Sequence, residues 1–594
     1  MEKRVLIAVV LSFLVLYVYQ SMFMPKPAPK PVARTAQSET AAGAGAAGAG
    51  AGAGAAAGSV PQGAAVPANT APGTTAQAAA PAGTAGAVEV QVGETSARDV
   101  VVETPIATTV FSNEGAVLTH LGLKRYVNDA KKPVDLIPHN TEFSARPFSL
   151  ETGDKAIDAR LNTARYRVAY GGPTTDPKTG AITVTFEYRD SGGLGIQKAF
   201  TINPRNYTIE ARVDGAQGFK TSALAFRMGS GLGDVEKVVA SRYTKKAEGI
   251  LFRDGAVERH DAKAILAQPA YEGNVRWAGV DDHYFMSAAL LGGPGAHVTY
   301  EARTVTAADG KTTADYISYT VQPPAGTTAV RVFLGPKQFD LLQSIDQDLV
   351  RAVDFGWFAF LGVPLLHGLN AINGVIGNYG WSIIILTLLI NLAIGPLRHK
   401  SVVSMRKMQE LQPEIKAIQD RYGKLKATDP DKQKMNTELM ELYKSRGVNP
   451  AGGCLPMLLT MPVLFAFYNL LSQAIELRGA PFGLWIKDLS LADPLYITPV
   501  LMGITMLVQQ RMTPSTADPV QQKMFMFMPV VFTVMFVAAP SGLAIYWFVS
   551  NLAGIMQQVI TNRIIGPPQV RAPRPPAERK MKRVGEGRTN GASA

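Results

Sequence analysis

Long apolar segments without a charged side chain constrain this chain most, and four of them follow one another in its C-terminal half. Residues 382–397, 454–472, 494–510 and 525–562 contain no Asp, Glu, Lys or Arg. An apolar run of about 18 residues or more is long enough to cross a bilayer as a helix, and the last stretch is long enough for two. The sequence therefore predicts a polytopic α-helical membrane protein.

A further apolar segment, 5–22, opens the chain behind Glu2, Lys3 and Arg4. It is similar to the start of a secretory signal, but no small-x-small cleavage site follows it closely. We interpret it as an uncleaved signal anchor, with a cleaved signal peptide as the alternative. Pro540 divides the last apolar stretch in two, because proline interrupts a helix. The prediction is six spans, one N-terminal and five C-terminal.

The distribution of charge predicts the orientation of these spans. The loop 398–448 holds 12 Lys and Arg against 7 Asp and Glu, and the tail 563–594 holds 8 against 2. Because short basic segments stay on the cytoplasmic side, we expect the N-terminus, this loop and the tail to be cytoplasmic. The region between the first two spans is then exported. The basic tail favours anionic lipid or the ribosome as a partner over a specific nucleic-acid sequence.

The composition and the hydrophobic pattern of the exported region change along its length. Residues 23–94 are rich in Ala, Gly and Pro, and too few large apolar side chains are present to offset the entropy of ordering, so this linker is predicted to be disordered. Residues 95–337 contain short alternating segments separated by turn residues, a pattern typical of an all-β sandwich. Examples of these segments are 164–170, 182–190, 207–214 and 329–334.

No pattern in this exported domain predicts a convincing catalytic or metal site. Asp281, Asp282 and His283 are adjacent, but consecutive side chains on a strand alternate faces and converge poorly, so we interpret them as a solvated loop or strand edge. Residues 310–312 resemble a phosphate loop, with Val305 where the first glycine is needed. We therefore expect no enzymatic activity and no cofactor or metal.

Residues 338–378 are predicted to lie at the membrane interface. Leu341, Ile345, Leu349 and Val353 recur at helical spacing, and aromatic residues follow before the second span. The alternative is a helix that caps the β domain, and the two interpretations are compatible.

The loop 398–448 is predicted to be a helical hairpin, because two amphipathic stretches meet at a turn near Pro430. Their apolar stripes contain several methionines, which adapt to varied apolar partners. Packing between the two helices explains these stripes as well as partner binding does.

Uncharged polar side chains form stripes on the predicted spans. At about 100° per residue, Thr387, Asn391 and Arg398 fall within an arc of roughly 40° at the second span. Polar residues from Tyr546 to Gln558 cover roughly 140° of the last span. Helices with such stripes shield a wet or polar surface from lipid.

Several long motifs occur in order and resemble the YidC family of membrane protein insertases. They are NPAGGCLP at 449–456, Met461-Pro462, IELRGAPFGLWIKD at 475–488, SLADP at 490–494, QQKMFMFMP at 521–529 and PSGLAIYWFVSN at 540–551. The match covers about 340–565, and the order of anchor, linker and β domain upstream is similar to the long, Gram-negative form of the family.

The resemblance implies a periplasmic β-supersandwich related in fold to sugar mutarotases, and a five-helix core around a hydrophilic groove. It implies an insertase that receives nascent hydrophobic segments in this groove and releases them into the bacterial inner membrane, alone or with the Sec translocon. Nascent membrane proteins, the ribosome and anionic lipid are the expected partners. The groove is predicted to be lined by Thr387, Asn391, Arg398, Thr505, Gln509, Tyr546, Trp547, Ser550, Asn551 and Gln557.

Two groove positions depart from the family pattern. Family members usually have an arginine where Asn391 stands, and an asparagine carries no charge. Arg398 lies seven residues further on, about 10 Å along the helix axis. It either supplies the missing charge in part or is an ordinary positive-inside anchor. Trp547 stands where the family often has a tyrosine.

Two other classes of protein are the alternatives. A secondary transporter would usually carry charged groups within its spans and an internal repeat. A membrane-anchored periplasmic sugar-processing enzyme would leave five further spans unexplained.

The predicted segments are the N-terminus 1–4, the signal anchor 5–22, the linker 23–94, the β domain 95–337, the interfacial region 338–378, the second span 379–397, the hairpin 398–448, the third span 454–473, a periplasmic loop 474–493, the fourth span 494–510, a cytoplasmic loop 511–524, the fifth span 525–539, the sixth span 541–562 and the tail 563–594.

Overall fold

The structure, a computed structural model, describes residues 89–128, 131–138, 146–229, 232, 245–306, 313–422, 431–448, 455–513 and 519–566. The predicted anchor, nearly all of the linker, residues 310–312 and most of the basic tail lie outside these ranges.

The first part of the described chain is a β domain whose strands carry apolar side chains on alternate positions. They are β1 (Val90–Val92), β2 (Asp99–Glu103), β3 (Ala107–Ser112), β4 (Val117–Val127), β5 (Pro133–Asp135), β6 (Pro147–Glu151), β7 (Arg167–Val168), β8 (Thr174–Thr175), β9 (Ile182–Asp190), β10 (Gly195–Ile202), β11 (Thr208–Gln217), β12 (Ala225–Met228), β13 (Glu248–Arg253), β14 (Ala256–His260), β15 (Ala270–Asp281), β16 (Phe285–Thr306), β17 (Thr313–Gln322) and β18 (Ala329–Pro336).

These strands form two antiparallel sheets around one apolar core, as the alternating pattern predicts. The larger sheet has the order β1-β9-β10-β11-β18-β16-β15-β13-β14, with further strands beside this path, and the smaller has the order β2-β3-β4-β5. Phe111 of the smaller sheet stacks on Phe200 of the larger, with ring centroids 4.6 Å apart. The predicted all-β sandwich is therefore confirmed. The segment 164–170 is not the continuous strand that its alternation predicts, because Arg165 forms an isolated bridge with Glu114 and only Arg167–Val168 pairs as a strand before a 3-10 turn.

Most of the remainder of the described chain is helical, and two further short helices lie within the β domain. The helices are α1 (Lys155–Thr163), α2 (Ala262–Ala267), α3 (Phe339–Ile345), α4 (Ala359–Ile376), α5 (Tyr379–Glu410), α6 (Gln412–Arg421), α7 (Asp431–Ser445), α8 (Leu455–Gln473), α9 (Ile497–Met512), α10 (Pro519–Phe536) and α11 (Ser541–Ile565).

Three segments of the described chain are helical, long and apolar enough to cross a membrane. They are Gly356–Ile376, Tyr379–Glu410 and Ser541–Ile564, and Met524–Phe536 is a shorter apolar helix. The first of them lies in the region predicted to be interfacial. The count of six spans stays a prediction, because the anchor 5–22 lies outside the described residues.

The predicted continuous amphipathic helix over 341–353 is wrong. Helix α3 ends at Ile345, and a carboxylate oxygen of Asp346 accepts the backbone N–H of Asp348 at 2.8 Å, which turns the chain. Leu342 and Leu349 are fully buried in the core of the β domain. This segment therefore caps the β domain, which was the alternative interpretation.

Asp281 and His283 are buried and Asp282 is half-buried, so the interpretation as a solvated segment is also wrong. Asp281 is buried and accepts hydrogen bonds at 2.9 Å from Lys337 Nζ and from Arg259 Nη1. Although burial opposes it, the pKa of Asp281 is lowered by these two cations. Arg259 also donates to the carbonyl oxygen of Ala352, and the group therefore ties the β domain to the capping segment.

A short segment after α8 joins the β domain to the helices. Ile475 is buried in the core of the β domain, and Leu477 is buried in the core of the helical bundle. The guanidinium of Arg478 lies over the ring of Phe285, 4.9 Å from its centroid. Glu476 stands between the two cores, and its Oε1 is buried without a hydrogen-bond partner among the described residues.

Helices α6 and α7 pack against each other after the end of α5. Arg446 donates to Glu414 at 2.7 Å, and the hydroxyl of Tyr422 donates to Glu438 at 2.8 Å. Their apolar contact consists of the buried Leu411, Ile415 and Val448, with Met408, Leu439, Leu442 and Tyr443 packed against them. Packing between helices therefore accounts for this part of the apolar stripes, whereas Met440 is exposed.

Candidate substrate groove: a polar seam between three helices

Polar side chains of α5, α9 and α11 meet in a seam inside the apolar bundle. Asn391 of α5 donates to Ser550 Oγ of α11 at 3.5 Å. Asn551 of α11 donates to Thr505 Oγ1 of α9 at 3.2 Å and to the carbonyl oxygen of Met502 at 3.3 Å. Residues from three separate spans, which the sequence could only assign to helix faces, are thus joined by direct hydrogen bonds.

Arg398 brings a positive charge to the position of Asn391. Its Nη1 donates to Asn391 Oδ1 at 2.9 Å across seven residues of the same helix. Asn391 also donates to the carbonyl oxygen of Thr387 at 2.8 Å, so its amide is held in one orientation. The guanidinium therefore points back along α5 toward the centre of the span, rather than outward as a simple anchor would.

Beside this pair, the backbone hydrogen bonding of α5 is interrupted. Pro396 has no N–H, so the carbonyl of Leu392 lacks its usual helical donor. Gln557 of α11 donates from Nε2 to the carbonyl oxygen of Gly395 at 2.5 Å. The Gly395-Pro396 step thus adds backbone polarity to the seam where α5 and α11 approach each other.

Gly554 of α11 is a seam residue that the predicted groove list omitted. A Cβ there would overlap the amide of Gln509 and would lie 3.6 Å from Arg398 Nη1. The missing side chain therefore makes room for a residue from α9 and one from α5. In the sequence, the signal for Gly554 is a glycine among polar residues on the same face of the last span.

The seam is most buried at Thr387 and is partly exposed toward Arg398 and Gln557, which we call its accessible end. Thr387, Asn391, Thr505 and Asn551 are buried, whereas Arg398, Gln509, Ser550 and Gln557 are partly exposed. The Thr387 hydroxyl donates to the carbonyl oxygen of Ile383 in its own helix at 2.6 Å, and Thr505 bonds its own helix similarly. Both hydroxyl oxygens keep acceptor capacity toward the seam.

Tyr546 and Trp547 lie among apolar rings. Tyr546 stacks on Phe467 with centroids 4.3 Å apart. Trp547 packs against Phe536 at 5.0 Å and Phe532 at 5.5 Å. The hydrogen bonds of the seam that are described above do not involve them, and their role as groove residues stays a prediction.

A second contact between α5 and α11, which the sequence did not reveal, lies beyond the accessible end. The buried Arg406 donates to the side-chain oxygen of Asn562 and to the carbonyl oxygen of Gly566, where α11 ends. His399 and the hydroxyl of Thr561 are 3.2 Å apart. The extension of α5 past the seam is therefore attached to the end of α11.

A large β domain attached to membrane-length apolar helices that enclose a polar seam defines an integral membrane protein with a polar surface inside the bilayer. Among the described residues, no group of three or more His, Cys, Asp or Glu could hold a metal ion.

Comparison with known proteins places this chain in one family. The family model for the 60Kd inner membrane protein matches residues 371–567, and the model for the YidC periplasmic domain matches residues 99–367. The membrane protein insertase YidC of Geobacter metallireducens is 37% identical over 473 residues, 79% of this chain and 86% of that protein. Its counterpart in Geotalea uraniireducens is 35% identical over 572 residues, 95% of this chain and 99% of that protein. A crystal structure of an active YidC insertase with its first transmembrane domain resolved covers 80% of this chain and 95% of its own, at 19% identity and a TM-score of 0.32.

The chain belongs to the YidC family of membrane protein insertases. The predicted family and the predicted insertase function are thereby confirmed, and the β domain is a periplasmic domain. The protein is an insertase rather than an enzyme.

Proposed function

We propose that the seam between α5, α9 and α11 is the groove in which nascent apolar segments are received before they move sideways into the inner membrane. The hydrogen bond between Arg398 and Asn391 carries this proposal. It holds a cation beside an amide from the middle of a span, in a seam where Ser550 and Gln557 remain partly exposed.

The polar flank of an entering segment is the main obstacle to insertion. A charged residue at mid-membrane costs about 2.5–3.5 kcal/mol on insertion scales. The seam lowers this cost, because amides and hydroxyls replace part of the water that the flank loses. Burial of the apolar part of the segment in lipid supplies the driving force. For acidic flanks the membrane potential adds about 2.3 kcal/mol per charge per 100 mV.

Arg398 gives the groove a preference for acidic flanks. Most family members are expected to carry this charge directly at the position of Asn391, whereas here the guanidinium of Arg398 reaches that position from two turns away. An acidic side chain that enters from the accessible end meets this cation first, and then the amide of Asn391.

The remaining predicted features belong to the same proposal. The chain has six spans, both termini in the cytoplasm, and a cytoplasmic hairpin formed by α6 and α7. The hairpin and the basic tail bring the ribosome and its nascent chain to the accessible end of the seam, and the tail also binds anionic lipid. Insertion proceeds alone or beside the Sec translocon.

Photo-crosslinking tests the groove. A photoreactive residue at Ser550 should crosslink to ribosome-bound nascent chains that carry a single span, because Ser550 is a partly exposed residue of the seam. The matched control is Val534 of α10, whose apolar side chain is 69% exposed away from the seam contacts. Nascent-chain crosslinks of equal yield from both positions would contradict the proposal.

A further inference from the structure

The loop between α8 and α9, residues 478–496, has its polar groups inside and its apolar groups outside. All of it is described, and its only exposed charged side chain is Lys487. Its one fully buried carboxylate, Asp493, is 1% exposed. The other exposed residues are Gly479, Pro481, Gly483, Leu484, Leu491, Ala492, Pro494, Leu495 and Tyr496. This distribution is the reverse of that expected for a loop in water.

Hydrogen bonds within the loop and to the starts of α5 and α9 hold the loop in this arrangement. The carboxylate of Asp493 accepts from Trp485 Nε1 at 2.9 Å and from the backbone N–H of Thr498 at 2.7 Å. At the other side, Asn378 Nδ2 donates to the carbonyl oxygens of Pro481 at 3.2 Å and Phe482 at 3.1 Å. The exposed apolar side chains are therefore presented by an ordered backbone.

Leu484 at the tip is the clearest sign that this outer surface meets a partner. Leu484 is 89% exposed, and its φ is +54°, a left-handed conformation that is strained for a leucine. Tyr496 has the same backbone conformation, with φ of +57°. In water nothing offsets this strain at an exposed leucine, whereas burial of the side chain in an apolar phase would offset it.

The position of the loop identifies the apolar phase. Phe482 contacts the ring of Trp381, 5.7 Å away in the first turn of α5, and Tyr496 directly precedes α9. Arg478 stacks on Phe285 of the periplasmic domain. The loop therefore lies at the periplasmic ends of membrane-length helices, where tryptophan, tyrosine and a lysine whose stem is apolar are typical of the bilayer interface.

We propose that the α8–α9 loop is inserted in the periplasmic leaflet of the membrane, with Leu484, Leu491 and Leu495 among the acyl chains and Lys487 at the lipid phosphates. The apolar surface continues that of the adjoining helices, and the single exposed cation matches a phosphate layer. The inserted loop anchors the periplasmic ends of α5 and α9 at a defined depth. This inference is independent of the role of the polar seam.

Fluorescence quenching from both phases tests the insertion. The full chain with Cys454→Ser and Leu484→Cys is labelled with an environment-sensitive fluorophore and reconstituted in phosphatidylethanolamine–phosphatidylglycerol vesicles. The matched control is Leu266→Cys on α2 of the periplasmic domain, where the side chain is 71% exposed. At position 484 we expect blue-shifted emission and several-fold stronger quenching by lipid-attached nitroxides than at position 266. Iodide in the buffer should quench in the opposite order. Equal iodide quenching at both positions, without nitroxide quenching at 484, would overturn the proposal.

A second variant separates lipid contact from folding. Leu484→Asn suits the left-handed backbone, because asparagine adopts it readily, but it removes the apolar tip. Thermal unfolding in detergent should be unchanged or shifted upward, while nitroxide quenching of a label at Leu491→Cys should fall at least twofold. Unchanged quenching at 491 would show that the tip does not hold the loop in lipid. Crosslinks from position 484 to nascent chains, without lipid quenching, would assign the surface to substrate and also overturn the proposal.

Discussion

At the scale of single residues, we propose that Asn391 and Arg398 together take the role that one arginine is expected to have in most of the family. The sequence placed both on one face of a helix but could not decide between a groove cation and an interfacial anchor. The 2.9 Å hydrogen bond favours the groove cation, because it directs the guanidinium toward Asn391. A charge-assisted hydrogen bond of this kind contributes about 1.5–3 kcal/mol.

A double-mutant cycle should detect this pairing. Arg398→Ala should slow insertion of a substrate with an acidic flank by about tenfold, which corresponds to about 1.4 kcal/mol, with a smaller effect on a neutral flank. Asn391→Leu should impair both substrates, since it removes a polar partner from the seam. The two effects should be less than additive, because the residues share one interaction.

The decisive variant in this cycle is Asn391→Arg combined with Arg398→Ala. It restores a cation at the usual family position and should recover insertion of the acidic-flank substrate. The measurement is the insertion rate in cells depleted of the native protein. Full activity of Asn391→Leu on both substrates would exclude Asn391 from the mechanism.

At the scale of elements, the segment that joins the periplasmic domain to the helices contains a titratable group. Burial, with a smaller contribution from nearby Asp340, raises the pKa of Glu476 from its ordinary value of 4.5 to about 7. Tyr126 and Tyr379 are the other titratable groups that interact with it. The flanking Ile475 and Leu477 belong to different cores, so the state of Glu476 bears on how firmly these cores are joined.

This raised pKa predicts that the junction is more stable in acid. The native state binds a proton that the unfolded state releases at lower pH, so the contribution is complete below pH 4.5 and is lost as the pH rises to about 7. The change amounts to about 3 kcal/mol at most.

Hydrogen exchange of residues 474–478, measured between pH 5 and pH 8, tests this prediction. Protection should fall with pH in the native chain and should become independent of pH in Glu476→Gln. Glu272→Gln, at a carboxylate that is 72% exposed, is the control that should leave the slope unchanged. A slope that persists in Glu476→Gln would assign the pH dependence to another group.

At the scale of the whole molecule, α5 links the seam to the predicted hairpin. It is one helix from Tyr379 to Glu410, and Arg406 attaches its extension to the end of α11. The hairpin follows directly after this extension, and it is therefore expected to lie beside the accessible end of the seam. Its charge and its exposed Met440 suit contact with a ribosome or a nascent chain.

Deletion of the hairpin should therefore abolish capture without removing the protein from the membrane. A short Gly-Ser linker in place of 412–446 keeps Arg406 and its contact with α11. Insertion of a single-span substrate should be lost, while extraction with alkali should still leave the protein in the membrane fraction. The control is an exchange of the apolar Met408 for Leu, which preserves the packing. Insertion kinetics that match the native chain after the deletion would contradict this role.

The same scale shows which parts of the fold could be predicted. Segments such as Ile182–Asp190 and Ala329–Pro336 were recognisable because alternation and turn residues are local properties. The stretch 341–353 was misjudged, since its apolar spacing suits a helix as well as it suits packing on a β domain. Sequence alone predicts a solvated Asp281, because Arg259 and Lys337, the two cations that pair with it, are distant in sequence.

The sequence by itself determined that this is a membrane protein with an exported β domain, because charge-free length, basic loops and alternation act locally along the chain. It also determined the family, through motifs that occur in order. Only the tertiary structure decided the direction of the Arg398 side chain and the room that Gly554 leaves for Gln509. Only the tertiary structure revealed the outward apolar face of the α8–α9 loop. These features depend on contacts between segments far apart in the chain, which periodicity and composition do not record.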